Sequence, residues 1–228
     1  IETIKINDEN ELTIVPLYTQ YQQYLNASLE STDSEESKQN FKKYVLDYIG
    51  EVGQEEKIDT SLIKTNFLLN PTPHKQQLLK QLDTLINQHD EIKEIIASTY
   101  ADSNQILPKK KGMVFVAPYN PEFFYDSEAL EGVAGQAYND TFILFLDTDF
   151  DKGVLAHSTA HEYHHLILYD QPEFRLNTIL DSVIIEGKAD TFADRIVKGV
   201  IPPWYAPIDD ATMEHIASRV NDYETTYT

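Results

Sequence analysis

The stretch His157-Ser158-Thr159-Ala160-His161-Glu162-Tyr163-His164-His165 places four of the chain's seven histidines in nine positions, and its reading decides the fold. Within it His161-Glu162-x-x-His165 has the spacing of a zinc-binding helix. Residues four apart on an α-helix differ by about 40° in azimuth, so His161 and His165 project together toward one ion, which a ring nitrogen reaches at about 2.0–2.1 Å. Glu162 is turned about 100° from His161 and about 60° from His165. It flanks the ion, placed to take a proton from a water held there rather than to ligate.

A catalytic zinc takes three protein ligands and leaves one position for water. The third candidate is Glu186, in Ile184-Ile185-Glu186-Gly187-Lys188-Ala189-Asp190, 21 residues after His165. That spacing lets a second helix pack back on the first after a break at Pro172. Asp190 follows one turn later on the same face, where it can hydrogen-bond the non-metal nitrogen of a ligand histidine. Gly187, with no Cβ, is expected to let the two helices approach closely. The competing layout needs Gly and His at the third and sixth positions after the motif, where Leu168 and Gln171 stand. A gluzincin arrangement remains, with one zinc per chain on His161, His165 and Glu186. His157 and His164 lie on the side of His161 away from Glu162 and read as packing residues. An oxyanion donor is expected from beyond the second helix, with Tyr205 and His215 as candidates. Asp147, Asp149 and Asp151 alternate like the opening of a calcium loop, but Lys152 stands where glycine belongs and Ser158 where the bidentate glutamate belongs. Acidic charge ahead of a helix N-terminus is the expected role.

Outward from this centre, residues 16–56 carry helical spacing in two segments, joined by a polar connector at 31–36 with Ser34 or Thr32 as N-cap. Pro71-Thr72-Pro73 precedes an apolar face from Leu78 to Ile96 that predicts one long helix or two short ones. Residues 113–117 are β-like, and 133–138 and 142–146 suit a hairpin turning at Asn139-Asp140. Helices are expected at 154–169, 174–197 and 212–223. Helices, then strands, then helices indicate an α+β, zincin-like fold with a small antiparallel or mixed sheet. It would have an N-terminal helical lobe over 1–107 and a catalytic part over 108–228, as two units or one continuous domain. The hairpin is the candidate edge for pairing with an extended substrate backbone, an ordinary core hairpin being the alternative.

The run Thr159-Ala160-His161-Glu162-Tyr163-His164-His165 followed by Glu186-Gly187-Lys188-Ala189-Asp190 resembles the bacterial YjaZ-like family of predicted zinc-dependent proteases over residues 140–198. The family's glutamate motif reads Glu-Gly-Leu/Met-Ala, and Lys188 departs from it while Glu186 does not. The resemblance implies a peptidase and names no substrate.

Composition bounds the alternatives. With 18 basic and 38 acidic side chains in 228 residues the net charge is −20, which disfavours phosphate backbones and anionic lipid. Cysteine is absent, so any metal is held by nitrogen and oxygen. Apolar residues make up 41%, enough for a core, and no apolar run approaches the ~20 residues of a membrane span. The first residue is Ile1, which suggests a removed signal peptide or lipoprotein leader and an exported or cell-surface protein; a cytoplasmic chain, trimmed, would begin the same way. The expected function is hydrolysis of a peptide or protein substrate by a metal-activated water with Glu162 as general base. A non-catalytic zinc-binding surface protein and a hydrolase of non-peptide amides are the alternatives, and the sequence leaves oligomeric state open.

Overall fold

Strands buried on both faces read as continuous apolar runs, and such runs sit at the centre of a sheet. Residues 141–146, Thr-Phe-Ile-Leu-Phe-Leu, are buried at every position. The computed structural model describes residues 1–219 apart from 32, 173, 176, 206 and 207. In it five strands, β1 (Glu2–Lys5), β2 (Glu11–Pro16), β3 (Lys111–Pro118), β4 (Val133–Tyr138) and β5 (Thr141–Leu146), form one sheet in the order β1-β2-β3-β5-β4. The β2–β3 and β3–β5 pairs are parallel, whereas β1 and β4 close the two edges antiparallel. The sheet is therefore mixed. The hairpin between β4 and β5 turns at Asn139-Asp140, with Asn139 in the left-handed region at φ 40°.

Joining β2 to a parallel β3 needs a long crossover, which is supplied by α1 (Tyr18–Ser28), α2 (Ser34–Phe41), α3 (Asp47–Glu56), α4 (Lys75–Asn87) and α5 (His89–Ile106). The apolar face from Leu78 to Ile96 thus belongs to two helices, broken at Gln88. A short α6 (Phe124–Ala129) leads into β4, and α7 (Lys152–Tyr169), α8 (Ile179–Ile196) and α9 (Asp210–Ser218) complete the described chain. No helix among the described residues is long and apolar enough to cross a membrane.

Several expectations need correcting. The chain opens with two strands, so its first 107 residues are not wholly helical: four and six residues are too short a window for alternation to stand out. One hydrophobic cluster runs from Leu12 through Tyr100 and Phe115 to Phe192, continuous across position 107. The cap of α2 is Asp33, whose carboxylate accepts from the Glu35 amide at 2.8 Å, in place of Ser34; Thr32 lies outside the described residues. The helix expected from 174 begins at Ile179, because Thr178 and Asp181 form a reciprocal capping box there. Residues 220–223 of the last expected helix lie outside the described residues.

Helix α7 packs against β4, β5, α5 and α8. Asp151 caps it by accepting from the Val154 amide at 2.9 Å, and Asp147 accepts from Gln81, Ser127 and the Thr148 amide. These two aspartates are thereby spoken for within the fold. A buried polar knot fixes the height of α7: Asn104 of α5 accepts from Asn10 at 2.7 Å and donates to the Lys109 carbonyl at 2.8 Å and the Tyr163 hydroxyl at 3.1 Å, while Tyr163 donates to the Leu107 carbonyl. Asn104→Ala leaves these buried groups unpaired and is expected to cost about 2–4 kcal/mol in urea unfolding.

Candidate metal centre and cleft

Helical spacing brings His161 and His165 side by side on α7, and the packing of α8 brings Glu186 over them. His161 Nε2 lies 3.0 Å from His165 Nε2 and 3.0 Å from Glu186 Oε2, and His165 Nε2 lies 3.5 Å from the same carboxylate oxygen. Among the described residues these three form the group that could hold a metal ion. The donor set fits zinc, since tetrahedral ligands about 2.05 Å from an ion stand about 3.3 Å from one another. Burial works against charge on His161, but hydrogen bonds to Asp190 and Glu186 override it and lift its pKa to about 10. The same histidines hold Glu186 well below the usual carboxylate range. A pocket that favours a proton on His161 so strongly favours a cation there for the same electrostatic reason.

Asp190 accepts from His161 Nδ1 at 2.9 Å, which turns Nε2 toward the group, and it accepts again from the Trp204 indole at 3.2 Å. Glu162 is buried, and loss of solvation raises its pKa; the neighbouring His161 and His165 and the Ala137 amide oppose that rise. Its room comes from β4. A Cβ on Gly135 would stand 2.8 Å from both Cγ and Oε1 of Glu162. Gly187, expected to permit close helix approach, instead faces open space, with nothing within 4 Å of a Cβ built on it.

The remaining candidates lie further out. The Tyr205 ring meets the edge of His157 with centroids 5.9 Å apart, and its hydroxyl donates to Asp194 at 3.3 Å. His215 sits on α9, exposed, and shares no hydrogen bond or ring contact with the donor group among the described residues. His157 is fully buried with Nε2 3.2 Å from Asp194, and His164 packs its ring on Phe192 at 5.5 Å, so both are packing residues. The sequence reading missed Gly135, Trp204 and Tyr169. Tyr169 lies one turn beyond His165 and stacks on its ring at 5.9 Å, a contact that the i,i+4 spacing signals.

A cleft of about 300 Å³ opens on the group, walled by Val133, Gly135 and Trp204 with Glu162, Glu186 and Asp190. Strand β4, one of the two edge strands, forms its rim. A larger cavity of about 830 Å³ beside Lys38 and Lys75 is remote from the donors, so volume alone does not locate the chemistry.

Residues 92–227, about three-fifths of the chain, match the family described as Predicted Zn-dependent protease (DUF2268). The chain belongs to this family. The match begins inside α5, the helix that packs on α7, well upstream of the motif region. A stretch of 59 residues, 25% of this chain, is 37% identical to the uncharacterized protein YjaZ of Bacillus subtilis (strain 168) and spans 23% of that protein. No solved structure matches the chain.

Burial depresses His157, and burial, with the nearby His165, His161 and Lys188, lowers His164 to about 4. The folded DUF2268 chain then binds fewer protons at these sites than the unfolded chain, whose histidines titrate near 6.5. Their contribution is intact above about pH 6.5 and is lost as pH falls toward 4. His164→Leu removes one such penalty, so its melting temperature relative to wild type is expected to climb as pH drops through that window.

Proposed function

We propose that this DUF2268 protein is a zinc-dependent metallopeptidase of zincin-like fold, with one zinc held by His161, His165 and Glu186 and with Glu162 as general base. The observation that carries the reading is the buried carboxylate of Glu162, placed beside the three donors and under an open strand edge. Bound there, zinc would supply Lewis acidity, polarising a peptide carbonyl and lowering the pKa of a water.

The chain's own residues do the rest. Burial weakens Glu162 as an acid and so strengthens it as a base, and its carboxylate takes the proton of the water as the water oxygen attacks the carbonyl carbon. When the C–N bond breaks, Glu162 returns the proton to the leaving amine. Asp190 keeps His161 in the tautomer that presents Nε2, and Trp204 fixes Asp190. Strand β4 offers main-chain groups along which an extended peptide can be aligned.

Glu162→Gln is expected to keep about one zinc per chain by elemental analysis while lowering kcat/KM on a quenched fluorescent peptide by roughly 10²–10⁴-fold. Glu186→Ala is expected to lose the zinc. Full activity in Glu162→Gln would replace this reading with that of a non-catalytic zinc-binding module. Gly135→Ala tests the same carboxylate from the opposite side: its Cβ displaces Glu162, so activity falls at least tenfold with zinc content unchanged.

A further inference from the structure

The open edge of β4 separates two hollows. A two-residue hairpin turn makes Tyr138 and Thr141 a hydrogen-bonded closing pair, so Gln136 and Ala134 also bond to β5. Gly135 and Ala137 therefore turn their amides and carbonyls outward, whereas the Val133 amide is taken by the Leu130 carbonyl at 3.2 Å. The outward Ala137 amide is the one that meets Glu162. A peptide laid along this edge alternates its side chains between the two faces of the sheet. One face is the cleft with the three donors.

The other face holds a second pocket of about 480 Å³, lined chiefly by Phe67, Leu68, Tyr119, Leu130, Ala134 and Phe145. It shares Leu130, Ala134 and Gly135 with the cleft. At its mouth Phe67 is 61% exposed, its ring set edge-on to Phe123 at 5.6 Å. Beneath it, Asn66 donates to Gln136 at 2.7 Å and to Tyr138 at 3.1 Å, tying the segment that carries Phe67 to β4. The pocket is thus preformed, mainly apolar with Asn66, Asp126 and Gln136 as its polar lining, and reached from the same strand edge as the donors.

We propose that this pocket is a substrate subsite for a large apolar side chain, such as Phe or Leu, on the residue adjacent to one that faces the donors. The preferred substrate is then an extended peptide with a bulky apolar residue beside the scissile bond; this rests on the peptidase reading. Ala134, whose side chain points into the pocket, sets the size of residue accepted, and Phe67 forms the outer wall.

The test is equilibrium binding of fluorescein-labelled extended peptides, identical except for Phe or Ala at the central position, to zinc-loaded Glu162→Gln protein, read by anisotropy. The Phe peptide is expected to bind about tenfold tighter or more. Ala134→Leu, added to that background, fills the pocket and is expected to erase the difference between the two peptides. Phe67→Ser, on an exposed side chain with little bearing on folding, is expected to reduce the preference several-fold. Equal affinities for the two peptides, or a preference that both variants leave intact, overturn the subsite. Cleavage by the wild-type protein separates the two claims: Phe-dependent binding without cleavage keeps the subsite and removes the peptidase reading, whereas cleavage without Phe preference does the reverse.

Discussion

Two imidazole nitrogens and a carboxylate oxygen held 3.0–3.5 Å apart would repel one another as three bare acceptors, so a proton or a metal cation belongs among them. That requirement fixes the relation of α7 to α8. A shift of one residue along either helix would rotate one of the three side chains by about 100° and break the convergence. The surroundings accordingly pin both helices at their starts, with Asp151 capping α7 and the Thr178–Asp181 box capping α8. The Asn104 knot holds α7 again near its middle through Tyr163. Lys109, nearly buried, joins Asp170 at the end of α7 to Asp140 in the β4–β5 turn, tying helix and hairpin together.

Glu162 carries the second constraint. A carboxylate removed from water is costly unless it is paired or surrounded by compensating charge. Here the compensation is the two histidines it flanks and one strand amide, which is why its position cannot be separated from theirs. The strand contributes by what it lacks: at position 135 any side chain would occupy the volume of the carboxylate. The edge strand therefore shapes the site from below as well as bordering the cleft.

The parts of this arrangement that were legible in the sequence are those set by helical periodicity. The pairing of His161 with His165, and of Glu186 with Asp190, follows from residues four apart lying on one face. The helix pair, the hairpin and the α+β class follow from patterns of similarly short range. Contacts between elements carry no such local signature. Gly187 looked like the close-contact glycine because it adjoins Glu186 in sequence, yet the contact falls at Gly135 on a strand 27 residues before Glu162. Strands β1 and β2 were hidden by their brevity, and β2 finds its partner β3 only after a crossover of five helices. Trp204, near a proline pair, gave no periodic cue at all, since its role depends on where the chain returns after α8.

That return has an optical consequence. The chain contains a single tryptophan, and its indole N–H is bonded to the carboxylate that orients His161. Every photon of indole emission from this protein thus originates at one point on the rim of the cleft. Its wavelength and intensity follow the polarity and hydrogen bonding around Asp190, so intrinsic fluorescence reports the state of the site without a label.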